Sequence, residues 1–199
     1  MTTEEKIKIA AQTVFHKKGF AATRTRDIAE EANINLALLN YYFRSKKRLF
    51  EIIMTETLTK FAQNLIVVMD DEASSFDEKV EILASSYIEF LKEEPEIPVF
   101  IMSEMRNSPE ALQERIPIKK AAQKSTFFRQ LQELRGENSN TEINLIHFLL
   151  NLMGLIIFPF ISRNLFAKFE TEDNIDFDEM MEERKKLIPI WIKAMISKD

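Results

Sequence analysis

The stretch from Thr25 to Arg44, TRDIAEEANINLALLNYYFR, holds the side chains best suited to reading the edges of a nucleic acid. The planar amide of Asn40 presents a donor beside an acceptor, the pair that fits the exposed edge of an adenine. Around it, Asn35, Leu36 and Ala37 are short or uncharged, so a helix backbone carrying them can approach closely, and Leu36 or Ala37 could meet a thymine methyl. The hydroxyls of Tyr41 and Tyr42 fit phosphate or base contact, whereas Leu39 and Phe43 are expected to pack inward. Thr25 and Arg26 are further candidates for phosphate or base-edge contact. Ser45 is placed to cap a following helix, whose first amides, together with Lys46, would then form an anion site for a backbone phosphate. Lys47 and Arg48 fit a solvated face as well as a contact.

These residues need two helices set at a fixed angle, and the spacing supplies them. A small residue, Ala29, stands where a second helix must cross the first closely, and Asn33 follows four residues later, where the turn requires positive φ. Ile28, Ala32, Ile34 and Leu39 are apolar at the positions that close the pair. The segment therefore reads as a helix-turn-helix, with residues 36–43 as the helix that enters the major groove. Charge supports the reading. Residues 1–50 hold ten Lys and Arg against five acids, although the whole chain carries −5 and the remainder is strongly acidic. A basic head on an acidic body suits a polyanion-binding module joined to a domain with a different task.

The first fifty residues resemble the DNA-binding domain of the TetR family of bacterial transcriptional regulators. The resemblance rests on an amphipathic first helix, GF-x-x-T at Gly19 to Thr23, RDIA at Arg26 to Ala29, and YYF-x-SK-x-x-LF at Tyr41 to Phe50. Two positions depart from the family pattern: the turn glycine is Asn33, and the tyrosine common in the recognition helix is Asn40. The resemblance implies a DNA-binding domain over 1–50 and a helical effector-binding and dimerisation domain over 51–199.

The whole chain has 199 residues, 45% hydrophobic and 30% charged, with three glycines and six prolines. So little glycine argues against phosphate-cradling Rossmann and P-loop folds, and the absence of cysteine excludes disulfides, Cys-ligated zinc and thiol nucleophiles. With only His16 and His147 available, no metal-ligand spacing and no nucleophile, base and orienter arrangement is found, so neither an enzyme nor a cofactor is expected. Apolar residues recur at helical spacing, as in Ile7, Ala10, Ala11, Val14 and Phe15, and again in Val80, Leu83, Ala84, Tyr87, Phe90 and Leu91. The chain is predicted to be all-α, with about nine helices over 3–18, 25–32, 36–43, 46–69, 76–93, 96–106, 109–135 with a break near Pro117, 141–166 and 178–197. Gly19 and Gly136 are expected to end helices, and Pro95 and Pro109 to prevent their continuation. The opening Met1-Thr-Thr-Glu-Glu-Lys has no signal-peptide pattern, which predicts a cytoplasmic protein.

Ile143 to Ser162 is twenty residues without a charge, long enough to span a bilayer. Asn144, His147 and Asn151 fall on one face, however, and Pro159 interrupts the run, so a buried or subunit-interface helix is expected and no membrane partner. The resemblance implies a homodimer through helices 141–166 and 178–197, and the apolar stripe on each is too large for a lone chain. Sixteen phenylalanines and nine methionines suit either a core or a pocket for a small hydrophobic effector. Phe100, Met102, Met105, Phe127 and Phe128 are candidate lining residues, and His147 and Asn151 candidate polar anchors. These features suggest a ligand-responsive regulator that binds double-stranded operator DNA, with effector binding shifting helix 46–69, and the resemblance implies that it is a repressor. A helical small-molecule binding protein without operator recognition is the alternative.

Overall fold

The computed structural model describes residues 1–107, 110, 124–135, 141–172 and 176–196. Among these residues nine helices and no strand occur: α1 (Thr3–Ala22), α2 (Thr25–Glu31), α3 (Leu36–Phe43), α4 (Lys46–Asp70), α5 (Phe76–Glu93), α6 (Ile97–Asn107), α7 (Thr126–Arg135), α8 (Thr141–Glu172) and α9 (Phe177–Ile196). The expected break near Pro117 and the stop at Gly136 lie outside the described residues. The chain forms two compact units, Met1–Phe61 with Glu96–Ile116, and Ala62–Pro95 with Pro117–Asp199. Helix α4 contributes residues to both.

In the first unit, α1 opens on a reciprocal cap: Thr2 Oγ1 accepts from the Glu5 amide at 3.2 Å, and the Thr2 amide donates to Glu5 Oε2 at 2.7 Å. Its apolar stripe is buried in full, with Ile7, Ala11 and Phe15 closing on Ile28, Leu39, Leu49, Ile53, Leu58 and Phe100. Each of these side chains larger than alanine is worth about 1.5–3 kcal/mol when removed from water. Gly19 takes φ 70°, as a helix terminator should, yet helical turns resume beyond it to Ala22. Thr23 then ends the helix, its hydroxyl donating back to the Gly19 carbonyl at 2.7 Å.

In the second unit, α5 buries Val80, Leu83, Ala84, Tyr87, Ile88 and Leu91, and packs against α7, α8 and α9. Phe76, Phe127 and Phe148 form one aromatic cluster, with Phe76 and Phe127 stacked at 4.7 Å between centroids. Surface ion pairs between Lys92 and Glu182, Lys185 and Glu89, and Lys193 and Asp77 join α5 to α9.

Proline 159 does not interrupt α8. Lacking an amide hydrogen, it leaves the Leu155 carbonyl one turn earlier without its helical donor. Arg184 of α9 replaces that donor, its Nη2 reaching the Leu155 oxygen at 2.7 Å, and its guanidinium lies 5.2 Å from the Trp191 ring centre. The helix thus passes through the proline and runs to Glu172. By length and composition, Leu145–Leu165 could cross a membrane, with mean hydropathy 2.1.

Candidate nucleic-acid interface

Helices α2 and α3 meet through a turn whose geometry follows from Asn33. That residue takes φ 53°, and around it Asn33 N–H donates to the Glu30 carbonyl and Ile34 N–H to the Ala29 carbonyl, each at 3.0 Å. These are the two bonds of a Schellman motif, in which one residue enters the left-handed region so that the last carbonyls of the helix find donors. Asparagine tolerates that region better than other side chains, which explains how the motif closes without glycine. Ile34 and Ala32 are then carried against the core of the first unit. Asp27 fixes the other end of α2, accepting from the Arg24 amide at 3.0 Å and from Lys18 at 3.1 Å. These bonds, the Arg24 amide first, hold its carboxyl below its ordinary range.

Helix α3 sorts its residues by face. Leu39 and Phe43 are buried, Leu36 and Leu38 half-buried, and Asn35, Ala37, Asn40, Tyr41 and Tyr42 exposed. Asn35 is the helix cap, its Oδ1 accepting from the Leu38 amide at 2.8 Å, so only its amide nitrogen faces outward unspent. Tyr41 is 77% exposed and its ring meets Tyr42 edge-on at 5.4 Å. An exposed tyrosine pair beside short polar residues is a surface that gains nothing from being in water, but much from a groove lined with acceptors.

Lys46 is placed differently from a free phosphate ligand. Its ammonium donates to the Phe20 carbonyl at 2.8 Å and the Thr23 carbonyl at 2.9 Å, and sits 4.1 Å over the Phe20 ring. It ties the end of α1 to the start of α4, and one of its three hydrogens remains. Lys8 is paired with Glu56 and Lys18 with Asp27. By contrast Arg26, Arg44, Lys47 and Arg48 are exposed, and among the described residues they have no side-chain partner. Thr25 is half-buried at the first turn of α2. Ser45 caps α4 as expected, its hydroxyl accepting from the Arg48 amide at 3.2 Å.

Against this geometry stand the comparisons. The profile described as bacterial regulatory proteins, tetR family, matches residues 9–53, spanning α1 to the first turns of α4. Residues 9–53 thus carry a TetR-type helix-turn-helix domain. Over 98% of its length it is 23% identical to a protein of Bacillus subtilis named as a probable HTH-type transcriptional regulator, YttP, covering 94% of that protein. It is 30% identical over 107 residues to IcaR of Staphylococcus aureus, a negative transcriptional regulator of the biofilm operon icaADBC, covering 54% of this chain and 55% of IcaR. Its fold is similar to that of SCO4942 from Streptomyces coelicolor, with a TM-score of 0.68 and 17% identity over 98% of both chains. The relatives it is similar to are helix-turn-helix transcriptional regulators.

The seven residues considered for an effector pocket divide between the two units. Phe100 is buried in the first unit, 4.8 Å from the His16 ring and 5.9 Å from the Phe50 ring, and Met102 and Met105 on the same helix are each about half exposed. Phe127 and Phe128 belong to the second unit, the former fully buried and the latter half-buried. His147 and Asn151 are exposed there, and they line a shallow cleft with Leu131, Phe148, Ile192 and Met195. Sequence order hides this division, since Phe100 follows α5 in the chain but packs with the opening helices. Among the described residues no cluster of His, Asp and Glu could hold a metal.

Proposed function

We propose that the protein is a homodimeric repressor that binds double-stranded operator DNA in the cytoplasm through α3 and releases it when a small hydrophobic effector binds the second unit. The observation that carries the reading is the exposed face of α3, where Ala37, Asn40 and Tyr41 are flanked by Arg26, Arg44, Lys47 and Arg48, cations without a side-chain partner among the described residues. Asn40 reads a base edge, and the cations and Tyr42 engage the sugar–phosphate walls.

One recognition helix contacts only a few base pairs, so a specific site needs two heads about one helical turn apart. The face of α8 and α9 supports the pairing, because Ile146, Leu150, Phe158, Leu165, Ile190 and Met195 are large, apolar and 45% to 72% exposed. Gly154 lies on this face, and a methyl group added there would meet nothing within the chain. A mid-helix glycine costs up to about 1 kcal/mol relative to alanine, a cost that close approach by a second helix explains. The effector part of the reading draws on the aromatic cluster of Phe76, Phe127 and Phe148, whose ring centroids lie 4.7–5.6 Å apart. An effector that seats there stabilises the form it binds.

The test is titration of a duplex with purified protein across a range of salt. Phosphate contacts release counterions, so affinity should fall steeply and linearly on logarithmic axes. Affinity that ignores salt would contradict the reading.

A further inference from the structure

Arg44 occupies a backbone conformation that ordinary side chains avoid. It follows α3 with φ 57° and ψ −36°, outside the left-handed helical well that Asn33 uses. Its own amide still donates to the Asn40 carbonyl at 2.9 Å, while the next amide, of Ser45, folds back to the Phe43 carbonyl at 2.6 Å. That bond closes a three-residue γ-turn of the positive-φ kind, which is rare because its central Cβ crowds the backbone. Glycine would relieve the strain, and asparagine would lessen it. The chain instead carries arginine, whose side chain is exposed and, among the described residues, makes no hydrogen bond, ion pair or ring contact that could offset the cost.

The position shows what the strained residue is for. Arg44 directly follows the last residue of α3 and is exposed like Ala37, Asn40 and Tyr41, which lie three to seven residues before it. A helix inserted N-terminus first into the major groove brings its far end toward the phosphates of the groove wall. A planar guanidinium with five donors suits a phosphate better than any other side chain does. Lys46, the nearer sequence candidate for that phosphate, has its ammonium engaged by the Phe20 and Thr23 carbonyls.

We propose that Arg44 is a DNA-contacting residue, held in a strained turn so that its guanidinium clamps a backbone phosphate at the end of the groove read by α3. The inference rests on the DNA-binding reading of α3 and adds to it a residue at which stability is given up for binding. Strain and contact then predict opposite signs for one substitution.

The experiment uses the full chain, a duplex selected by the wild type from a random pool, and a scrambled duplex of equal length. Arg44→Gly and Arg44→Asn should raise the melting temperature, and both should weaken binding to both duplexes by about tenfold. The slope of affinity against salt should also fall by about one unit. Arg44→Lys, which keeps the charge in the same strained turn, should recover part of the affinity and the salt slope without the gain in melting temperature. Unchanged affinity in the Gly and Asn variants would overturn the proposed contact. A melting temperature lowered in both would overturn the strain on which it rests. If the wild type bound neither duplex at low salt, the DNA-binding reading itself would fail, and the proposal with it. If the wild type bound while Arg44→Gly bound equally well, only the proposal would fail.

Discussion

The exposed face of α3 and the exposed face of α8 and α9 are both left uncovered by a single chain, and their chemistry is opposite. Along α3 the outward residues are short, polar or hydroxyl-bearing, beside cations that have no partner among the described residues. Along α8 and α9 they are Ile146, Leu150, Phe158, Leu165, Ile190 and Met195. Apart from the rings of Tyr41 and Tyr42, the first face costs little to leave in water. The second forgoes about 25 cal/mol for every Å² of apolar surface left wet. A charged, highly hydrated partner fits one and an apolar partner the other, so the two faces should fail separately when mutated.

The largest separation is expected from Leu150→Glu. At 66% exposure the substitution leaves the fold of the chain intact, but a partner helix seated there would have to bury a carboxylate, at about 3–5 kcal/mol. Sedimentation should show a shift to monomer and titration a loss of specific DNA binding, while weak binding to scrambled DNA survives. A variant that stays dimeric would place the interface elsewhere. The converse substitution, Asn40→Ala, should leave the oligomeric state untouched and remove discrimination at one base pair, roughly 1–3 kcal/mol in competition binding. Equal losses on cognate and scrambled duplexes would make Asn40 a phosphate contact instead.

A third variant tests whether α8 owes its continuity to α9. Arg184→Met strands the Leu155 carbonyl and should cost about 1–3 kcal/mol in chemical denaturation. Pro159→Ala restores an amide donor, so on that background the same substitution should cost much less. Additive losses would show that the arginine does not serve the proline.

The smallest effect depends on pH. Hydrogen bonds from Lys185 and Lys92 hold the Glu182 carboxyl down at about 2, below its ordinary value of 4.5. Its folded value is thus the lower one, so its contribution is present above 4.5 and fades as pH falls toward 2. Glu182→Gln should lower the melting temperature slightly at neutral pH, the effect being small because the pair is solvent-screened, and should converge on the wild type as pH falls toward 2, which flattens the acid limb. An unchanged acid limb would contradict the assignment.

Most of the helical layout is legible in the sequence because its causes are local. Apolar spacing sets the buried faces of α1 and α5, Asn33 supplies the one backbone conformation the α2–α3 turn requires, and Ser45 supplies a cap. What the sequence hides depends on partners far along the chain. Lys46 reads as a phosphate ligand until the carbonyls of Phe20 and Thr23 are found around its ammonium. Pro159 reads as an interruption until Arg184, in another helix, takes its place as donor. Phe100 reads as part of a later pocket until it is seen packed with His16 and Phe50. For Arg44 there was a local signal, an arginine just beyond a recognition helix, but its meaning lies in a φ angle that residue type alone does not disclose.

The central claim is that two recognition helices, held by one symmetric pairing, read one DNA site. Selection of duplexes from a random-sequence pool by the purified wild-type chain, followed by sequencing, tests it most directly. The account predicts an inverted repeat, its two halves about one helical turn or a multiple apart, with two chains or a multiple of two bound per duplex. Enrichment of a single unrepeated motif bound by one chain, or of no motif at all, would contradict it.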